Sequence, residues 1–425
     1  MIQLAKYKLS DVAHVEISGV DKKTNEGEKP VRLCNFTDVY YNWAITKEHE
    51  PSLMLASAND NEIRRFTIKK GQVAFTKDSE TRYDIGVSTY IADDLDNVLL
   101  GYHCALITPN EEIALGAYIN AFMHTSLIQK YFANNAGGSG QRYTLSVETM
   151  ENMPLLLPSI EDQQKIADIF SNLDHKIALN RSMIKNLEDI SRLLYDYWFV
   201  QFDFPDDNGK PYKSSKGAMI YNAQLKREIP AGWEVKTVSE IAEVFNGATP
   251  STSDASNYGG DIIWITPKDL STQQSKFIIQ GERNITVKGY NSCSTRLLPK
   301  NSILMSSRAP IGLFAIARRE LCTNQGFKSF VPKDKTLNTY LYYYLLQHKS
   351  KIEQLGTGTT FKEVSREDML KFFVLIPPIN ILRDFEEKSK CICEEQFVLQ
   401  QDITSLIRQR DELLPLLMNG QVSVN

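Results

Sequence analysis

The residues able to do chemistry are scattered through this chain and form few groups. None of the six histidines (His14, His49, His103, His124, His175, His348) falls in H-E-x-x-H, and the six cysteines contain no C-x-x-C pair. A zinc site needs such spacing, so none is expected. Cys391 and Cys393 lie two apart in a helical pattern, where they point to different faces. Gly356-Thr-Gly-Thr-Thr could approach a phosphate but lacks the lysine of a P-loop, and no N-P-P-Y run offers a methyl-transfer site. Pro205-Asp206-Asp207 before Lys210 has the outline of a nuclease carboxylate set, yet Asn208 stands where the second carboxylate is needed. No Ser/His/Asp grouping can be assembled. Alone, the chain is expected not to be an enzyme.

Composition narrows the class. The 425 residues are 42% apolar and 24% charged, with a net charge of −4. That is enough apolar material for more than one core. Mean hydropathy is −0.31, and no apolar run approaches the roughly 18 residues of a membrane span. The opening MIQLAKYKLSDV lacks the apolar centre of a secretory signal. A cytoplasmic protein with no membrane partner is expected.

The chain repeats itself. Residues 137–158, GGSGQRYTLSVETMENMPLLLP, align with 356–377, GTGTTFKEVSREDMLKFFVLIP, at a shift of 219. Gly137 meets Gly356, Ser146 meets Ser365, Met150 meets Met369 and Pro158 meets Pro377. Leu9-Ser-Asp-Val12 matches Val238-Ser-Glu-Ile241 at a shift of 229, and Lys70-Gly-Gln-Val73 matches Lys300-Asn-Ser-Ile303 at 230. An ordered series of this kind marks a tandem duplication.

A helical stripe follows each matched proline. In the first copy Ile166, Phe170, Leu173, Ile177, Asn180, Ile184, Leu187, Ser191, Leu194 and Trp198 alternate steps of four and three. In the second the same register gives Phe385, Ser389, Ile392, Gln396, Leu399, Ile403, Leu406, Arg410, Leu413 and Leu417. About five heptads make a coiled-coil seam, and some 35 residues make a rod of roughly 50 Å. Asn180 is the polar seam member expected to fix register against an apolar layer. The natural partner of each arm is its duplicate, running in the opposite direction.

The rest reads as globular. Short β-patterned runs (97–107, 261–266, 302–305) mix with Gly, Asn and Pro turns, and each copy ends in a helical stretch, 114–132 and 337–355. The fold class is α+β: two duplicated globular domains, 1–158 and 233–378, separated by two long antiparallel coiled-coil helices, 159–199 and 379–425. Residues 200–232, rich in Pro, Gly, Lys and Asp, read as a linker. The first globular domain carries −5 and the second +5. Only the second has the charge of a nucleic-acid binder.

Two unlike globular domains with two matched arms resemble the specificity (S) subunit of Type I restriction–modification systems. Local runs carry the resemblance: Trp264-Ile-Thr-Pro-Lys-Asp-Leu270, Met305-Ser-Ser-Arg-Ala-Pro-Ile-Gly312, Thr323-Asn-Gln-Gly-Phe-Lys328 and Gly358-Thr-Thr-Phe-Lys-Glu-Val364. Pro158-x-x-Glu161-Asp-Gln163 at the first arm, and Phe202-Asp-Phe-Pro205 through Pro230-x-Gly-Trp233, are similar too. The likeness covers nearly the whole chain. It weakens over 1–110, where Tyr7-Lys8-Leu9 replaces a P-x-G-W entry, and Pro377-Pro-Ile-Asn lacks the Glu-Gln of the first arm.

The resemblance implies that each globular domain is a target recognition domain reading half of a bipartite, asymmetric site on double-stranded DNA. The arms would set the spacing and dock two methyltransferase (M) subunits, which bind S-adenosylmethionine and methylate adenine. Restriction (R) subunits using ATP and Mg would join for cleavage, and this chain itself would hold no cofactor. Base reading calls for hydrogen-bonding side chains near loops, with Lys, Arg, Ser and Thr for phosphates. The candidates in the second domain are Lys268, Ser307, Arg308, Asn324, Gln325, Lys328, Thr360 and Lys362. Those in the first are Thr76, Lys77, Arg82, Tyr83, Gln141, Arg142 and Tyr143. A protein-only coiled-coil scaffold without DNA binding remains the alternative, and a diverged methyltransferase a third reading.

Overall fold

A computed structural model describes residues 3–138, 141–273, 275–358, 362–422 and 424. The chain divides into two compact units, 1–182 with 400–425, and 183–399. Each unit therefore takes one end of each arm.

Each unit is built on a five-stranded sheet with the same strand order. In the first it runs Ala13–Ile17, Cys104–Pro109, Val73–Thr76, Ser88–Ile91, Ala44–Ile45. In the second it runs Ala242–Asn246, Phe327–Pro332, Ile303–Ser307, Ile311–Ala317, Phe277–Ile278. The last pair is parallel in both. Even the register repeats: Ile107 lies opposite Val15 and Val73, and Phe330 opposite Val244 and Ile303. Val73–Thr76 and Ile303–Ser307 are buried on both faces, which is why each reads as an unbroken run rather than an alternation. A three-stranded sheet accompanies each: Met54–Ala58, Lys29–Cys34, Val98–Leu100, and Arg283–Ile285, Tyr258–Ile265, Cys322–Thr323.

The link between each domain and its arm repeats as well. Tyr7 pairs with Leu155 and Lys236 with Val374. The Leu9 N–H donates to the Met153 carbonyl at 2.9 Å, and the Val238 N–H to the Phe372 carbonyl at 2.9 Å.

Several expected elements divide. The run 97–107 is two strands in two sheets, Val98–Leu100 and Cys104–Pro109, separated by Gly101, Tyr102 and His103. The helical stretches split at a histidine: Gly116–Met123 and Ser126–Asn135 flank His124, while Asn338–Gln347 and Lys349–Gln354 flank His348. Each ring stacks on an aromatic neighbour, His124 on Trp43 at 4.4 Å and His348 on Tyr344 at 4.2 Å. Burial holds both imidazoles below their ordinary pKa, His124 at about 4.

The arms are Ile160–Tyr195 and Ile379–Met418. Within the first unit, Ile166 and Phe170 share a core with Leu414 and Leu417, and Asn180 bonds Asp402. Within the second, Tyr195 meets Phe385 at 6.2 Å and the Gln396 side chain donates to the Ile184 carbonyl at 3.4 Å. Numbers rise along one helix as they fall along the other, so the pairing is antiparallel in each unit. Asn180 corrects one expectation, because its amide faces a carboxylate rather than an apolar layer.

The linker, 200–232, is itself folded. Asp196–Val200 continues the first arm as a π-helical turn, and Met219–Asn222 pairs with Arg227–Pro230 as a hairpin. Trp198, Phe199, Phe202, Phe204, Ile229 and Trp233 are buried in one core. Such aromatic area, about 150–250 Å² for each ring, packs the linker into the core of the second unit despite its Pro, Gly and Lys content.

Candidate nucleic-acid interface

In the first unit a small sheet gathers most of the candidates. Tyr143–Thr144 lies between Gly137–Gly138 and Asp78–Ser79, with Tyr143 opposite Ser79 and Thr144 opposite Asp78. Gly138 has φ +144°, and a Cβ there would meet the Arg142 carbonyl oxygen at 2.2 Å. Only glycine allows this close turn.

A hydrogen-bonded series crosses the sheet. The Asp78 carboxylate accepts from Lys77 Nζ at 2.8 Å and pairs with His103 Nδ1 at 2.8 Å. Arg142 Nη2 lies 3.0 Å from each nitrogen of the His103 ring. Burial alone would raise the Asp78 carboxyl, but hydrogen bonds with His103, Lys77 and Thr144 bring it down to about 2. The Arg82 guanidinium lies 5.2 Å from the centre of the Tyr143 ring. Tyr83 is 89% exposed, and Gln141 is exposed beside Arg142.

The second unit repeats the frame with other residues. The Leu145 N–H donates to the Lys77 carbonyl at 2.9 Å, and at the duplicate positions the Val364 N–H donates to the Ser307 carbonyl at 3.1 Å. Here Glu363 is the central carboxylate. Its Oε1 accepts from Lys328 Nζ at 3.1 Å and Ser307 Oγ at 3.3 Å, and its Oε2 from Arg308 Nη1 at 3.5 Å. A cleft of about 510 Å³ is lined by Asn246, Gln325, Lys328, Glu363, Ser365 and Arg366, among others.

Neighbouring loops close on the same cleft. The Thr249 hydroxyl donates to the Gln325 carboxamide oxygen. Asn324 Oδ1 accepts from the Gly326 N–H at 2.9 Å. A Cβ on Gly247 would meet the Asn324 carbonyl oxygen at 2.1 Å, and one on Gly326 would meet the Pro267 ring at 2.9 Å. Lys268, next to Pro267, is exposed and paired with Glu282 at 2.8 Å. Lys362 is exposed beside Glu363. Thr360 lies outside the described residues.

Among the described residues, Lys77, Arg82, Arg142 and Tyr143 gather about the small sheet of the first unit, and Ser307, Arg308, Gln325 and Lys328 about Glu363 and its cleft in the second, but they differ in accessibility. Thr76, Ser307 and Lys328 correct the expectation of solvent-facing loop residues, because all three are buried in or at the ends of central strands. Thr76 Oγ1 accepts from the Val87 N–H at 3.1 Å, and the Lys328 ammonium is neutralised by Glu363. These residues hold the frame. Asp78, His103, Thr249 and Glu363 were missed. Carboxylates look wrong for an anion-binding face, and only tertiary pairing shows that they organise cations.

The carboxylate has changed strands between the copies. Asp78 and Thr144 in the first unit correspond to Arg308 and Glu363 in the second, at shifts of 230 and 219. The same two backbone positions carry acid and neutral partner in one unit, base and acid in the other.

Among the described residues, no group of three or more His, Cys, Asp or Glu could hold a metal ion, and no helix is long and apolar enough to cross a membrane. The chain is 28% identical over 407 residues to the Type I restriction enzyme HindI specificity subunit of Haemophilus influenzae, covering 84% of this chain and 87% of that one. It is 49% identical over 140 residues to the Type I restriction enzyme MjaIX specificity subunit of Methanocaldococcus jannaschii, covering 32% of each. A solved Type I restriction–modification S subunit from M. genitalium shares the fold, with a TM-score of 0.58 and 13% identity over 98% of this chain and 96% of that one. Residues 1–189 and 230–414 match the Type I restriction modification DNA specificity domain, and with both halves matched the chain belongs to that family.

Proposed function

We propose that the chain is the DNA sequence-specificity subunit of a Type I restriction–modification complex, each globular domain reading one half of a bipartite, asymmetric site. One observation carries this reading. Two copies of one backbone frame hold different polar side chains at the same place, as reading two unlike half-sites requires. Arg142 over His103 and Arg308 on Glu363 are the leading base readers, since arginine recognises guanine bidentately. Lys77, Arg82, Lys268 and Lys362 suit phosphates. Arg82 on Tyr143, with Tyr83, adds an aromatic surface.

The chain acts without catalysis of its own. Two methyltransferase subunits dock on the arms and supply S-adenosylmethionine-dependent adenine methylation, and restriction subunits bring ATP and Mg for cleavage. The complex works in the cytoplasm. Co-expression with a methyltransferase subunit, followed by genome-wide mapping of methylated adenines, tests this. The expected result is two short half-sites with a fixed unread gap. Removing one heptad from each arm shortens that gap by about 3 base pairs, since seven helical residues span roughly 10.5 Å. A continuous site, or no co-purification with a methyltransferase subunit, overturns the reading.

A further inference from the structure

We propose that Glu363 is a positioning carboxylate that determines base discrimination in one half-site by orienting Arg308. The inference rests on the reading of the chain as a DNA-specificity subunit and goes beyond it by assigning the residue that aims the reader. Glu363 engages Arg308 through Nη1 alone. Among the described residues, the opposite edge of the guanidinium, Nε and Nη2, has no hydrogen-bond partner. That edge presents two donors side by side, the geometry that meets O6 and N7 of guanine. The Arg308 side chain is 37% exposed and able to reach a ligand, whereas Lys328, on the other oxygen of the same carboxylate, is 6% exposed. Lys328 and Ser307 therefore anchor Glu363 from below while Glu363 holds Arg308 from the side.

Charge gives the carboxylate a second effect. An unpaired arginine gains from any phosphate, whatever the sequence. With Glu363 between them, Lys328 and Arg308 carry one net positive charge rather than two, so contact with the backbone alone is less rewarded. A guanine edge is still rewarded, because bidentate hydrogen bonding does not require net charge. The first unit reaches a similar arrangement with other residues: Asp78 pairs with His103, and His103 lies against Arg142. Two unlike sequences on one frame both set a carboxylate behind an arginine.

The test uses the full chain, co-purified with its methyltransferase partner, on a library of bipartite duplexes varied at every position. Glu363→Gln is expected to lower discrimination at one base position of one half-site by about fivefold to tenfold, at the low end of the range of a bidentate pair. Affinity for unrelated duplex should rise, and the salt slope should steepen by about one. The other half-site should be unaffected. In the Arg308→Ala background, Glu363→Gln should no longer change discrimination at that position. The pair Glu363→Gln with Lys328→Met guards against a fold defect from an unpaired buried ammonium, and should show the same loss of discrimination. Equal weakening of both half-sites, or a full effect of Glu363→Gln without Arg308, overturns the proposal and leaves Glu363 as a support for Lys328. Failure of the unaltered complex to select any bipartite site overturns the functional reading and the proposal together.

Discussion

The Asn180 amide donates to the Asp402 carboxylate at 2.8 Å across 222 residues of sequence. Lys176, one helical turn before Asn180, reaches the same carboxylate at 3.4 Å. One acid on the second arm thus holds two residues on the first, which fixes the register of the pair at this level.

Cysteines replacing Asn180 and Asp402 should join within one chain on mild oxidation, whereas Asn180 paired with a cysteine at Phe385 should not. A shift in mobility on a non-reducing gel, absent from either single variant, checks this. Asn180→Leu alone should change stability by less than about 1 kcal/mol, because Asp402 keeps Lys176 and stays partly solvated. Chemical denaturation measures it.

Glu188 and Lys276 form a second fastening, between the first arm and the second globular domain within unit 183–399. They lie 3.3 Å apart, with Lys276 almost wholly buried, and Tyr343 and Gln396 also bond Glu188. Burial acts to raise the Glu188 carboxyl, but Lys276, Gln396 and Arg192 leave it below its ordinary value. Glu188→Gln should destabilise this unit by about 3–5 kcal/mol, because it strands the buried Lys276 ammonium, whereas Lys276→Met should cost less, because Glu188 keeps Arg192 at 3.1 Å. The double variant should recover part of that loss. Thermal unfolding of the three variants provides the measure.

His124 makes the first unit sensitive to acid. Its imidazole is held neutral to about pH 4 by burial and by Arg410, while the unfolded chain takes up the proton near its ordinary value of 6.5. The unfolded state therefore binds more protons between these limits, and stability falls as pH drops from about 6.5 to 4. His348, lowered for the same first reason, gives the second unit a fall of the same sign. Melting curves recorded over this range should show the slope, and His124→Gln should flatten the part due to the first unit.

Asp78 acts at lower pH. Its carboxyl is depressed to about 2 against an ordinary 3.8, so its contribution is complete above about pH 4 and disappears as pH falls through 2. Asp78→Asn should remove that step from acid unfolding. At neutral pH it should also loosen His103 and Arg142, reducing discrimination in the first half-site severalfold. Methylation-site mapping at pH 7 separates this reading defect from the stability change.

The sequence alone determined the duplication, the two arms and the α+β class. Those follow from local periodicity and from matched runs, which are properties of short windows. The heptad repeat was legible because it needs no knowledge of the partner; of its apolar members Ile166, Phe170, Ile177, Phe385, Leu399 and Leu406 are buried and Leu173, Ile184, Leu187, Leu194, Ile392, Ile403 and Leu413 half-buried. What only the tertiary structure decided lies in non-local pairing. Phe202, Phe204 and Trp233 fold a polar, Pro- and Gly-rich stretch into a core that composition cannot reveal. Asn180 meets a carboxylate that the sequence places 222 residues away. Lys328 and Ser307 read as surface donors until the strands bury them, and Asp78 and Glu363 read as unsuited to DNA until their cations are beside them. A side chain's type is written locally, but its accessibility and its charge partner depend on which strand the fold lays against it.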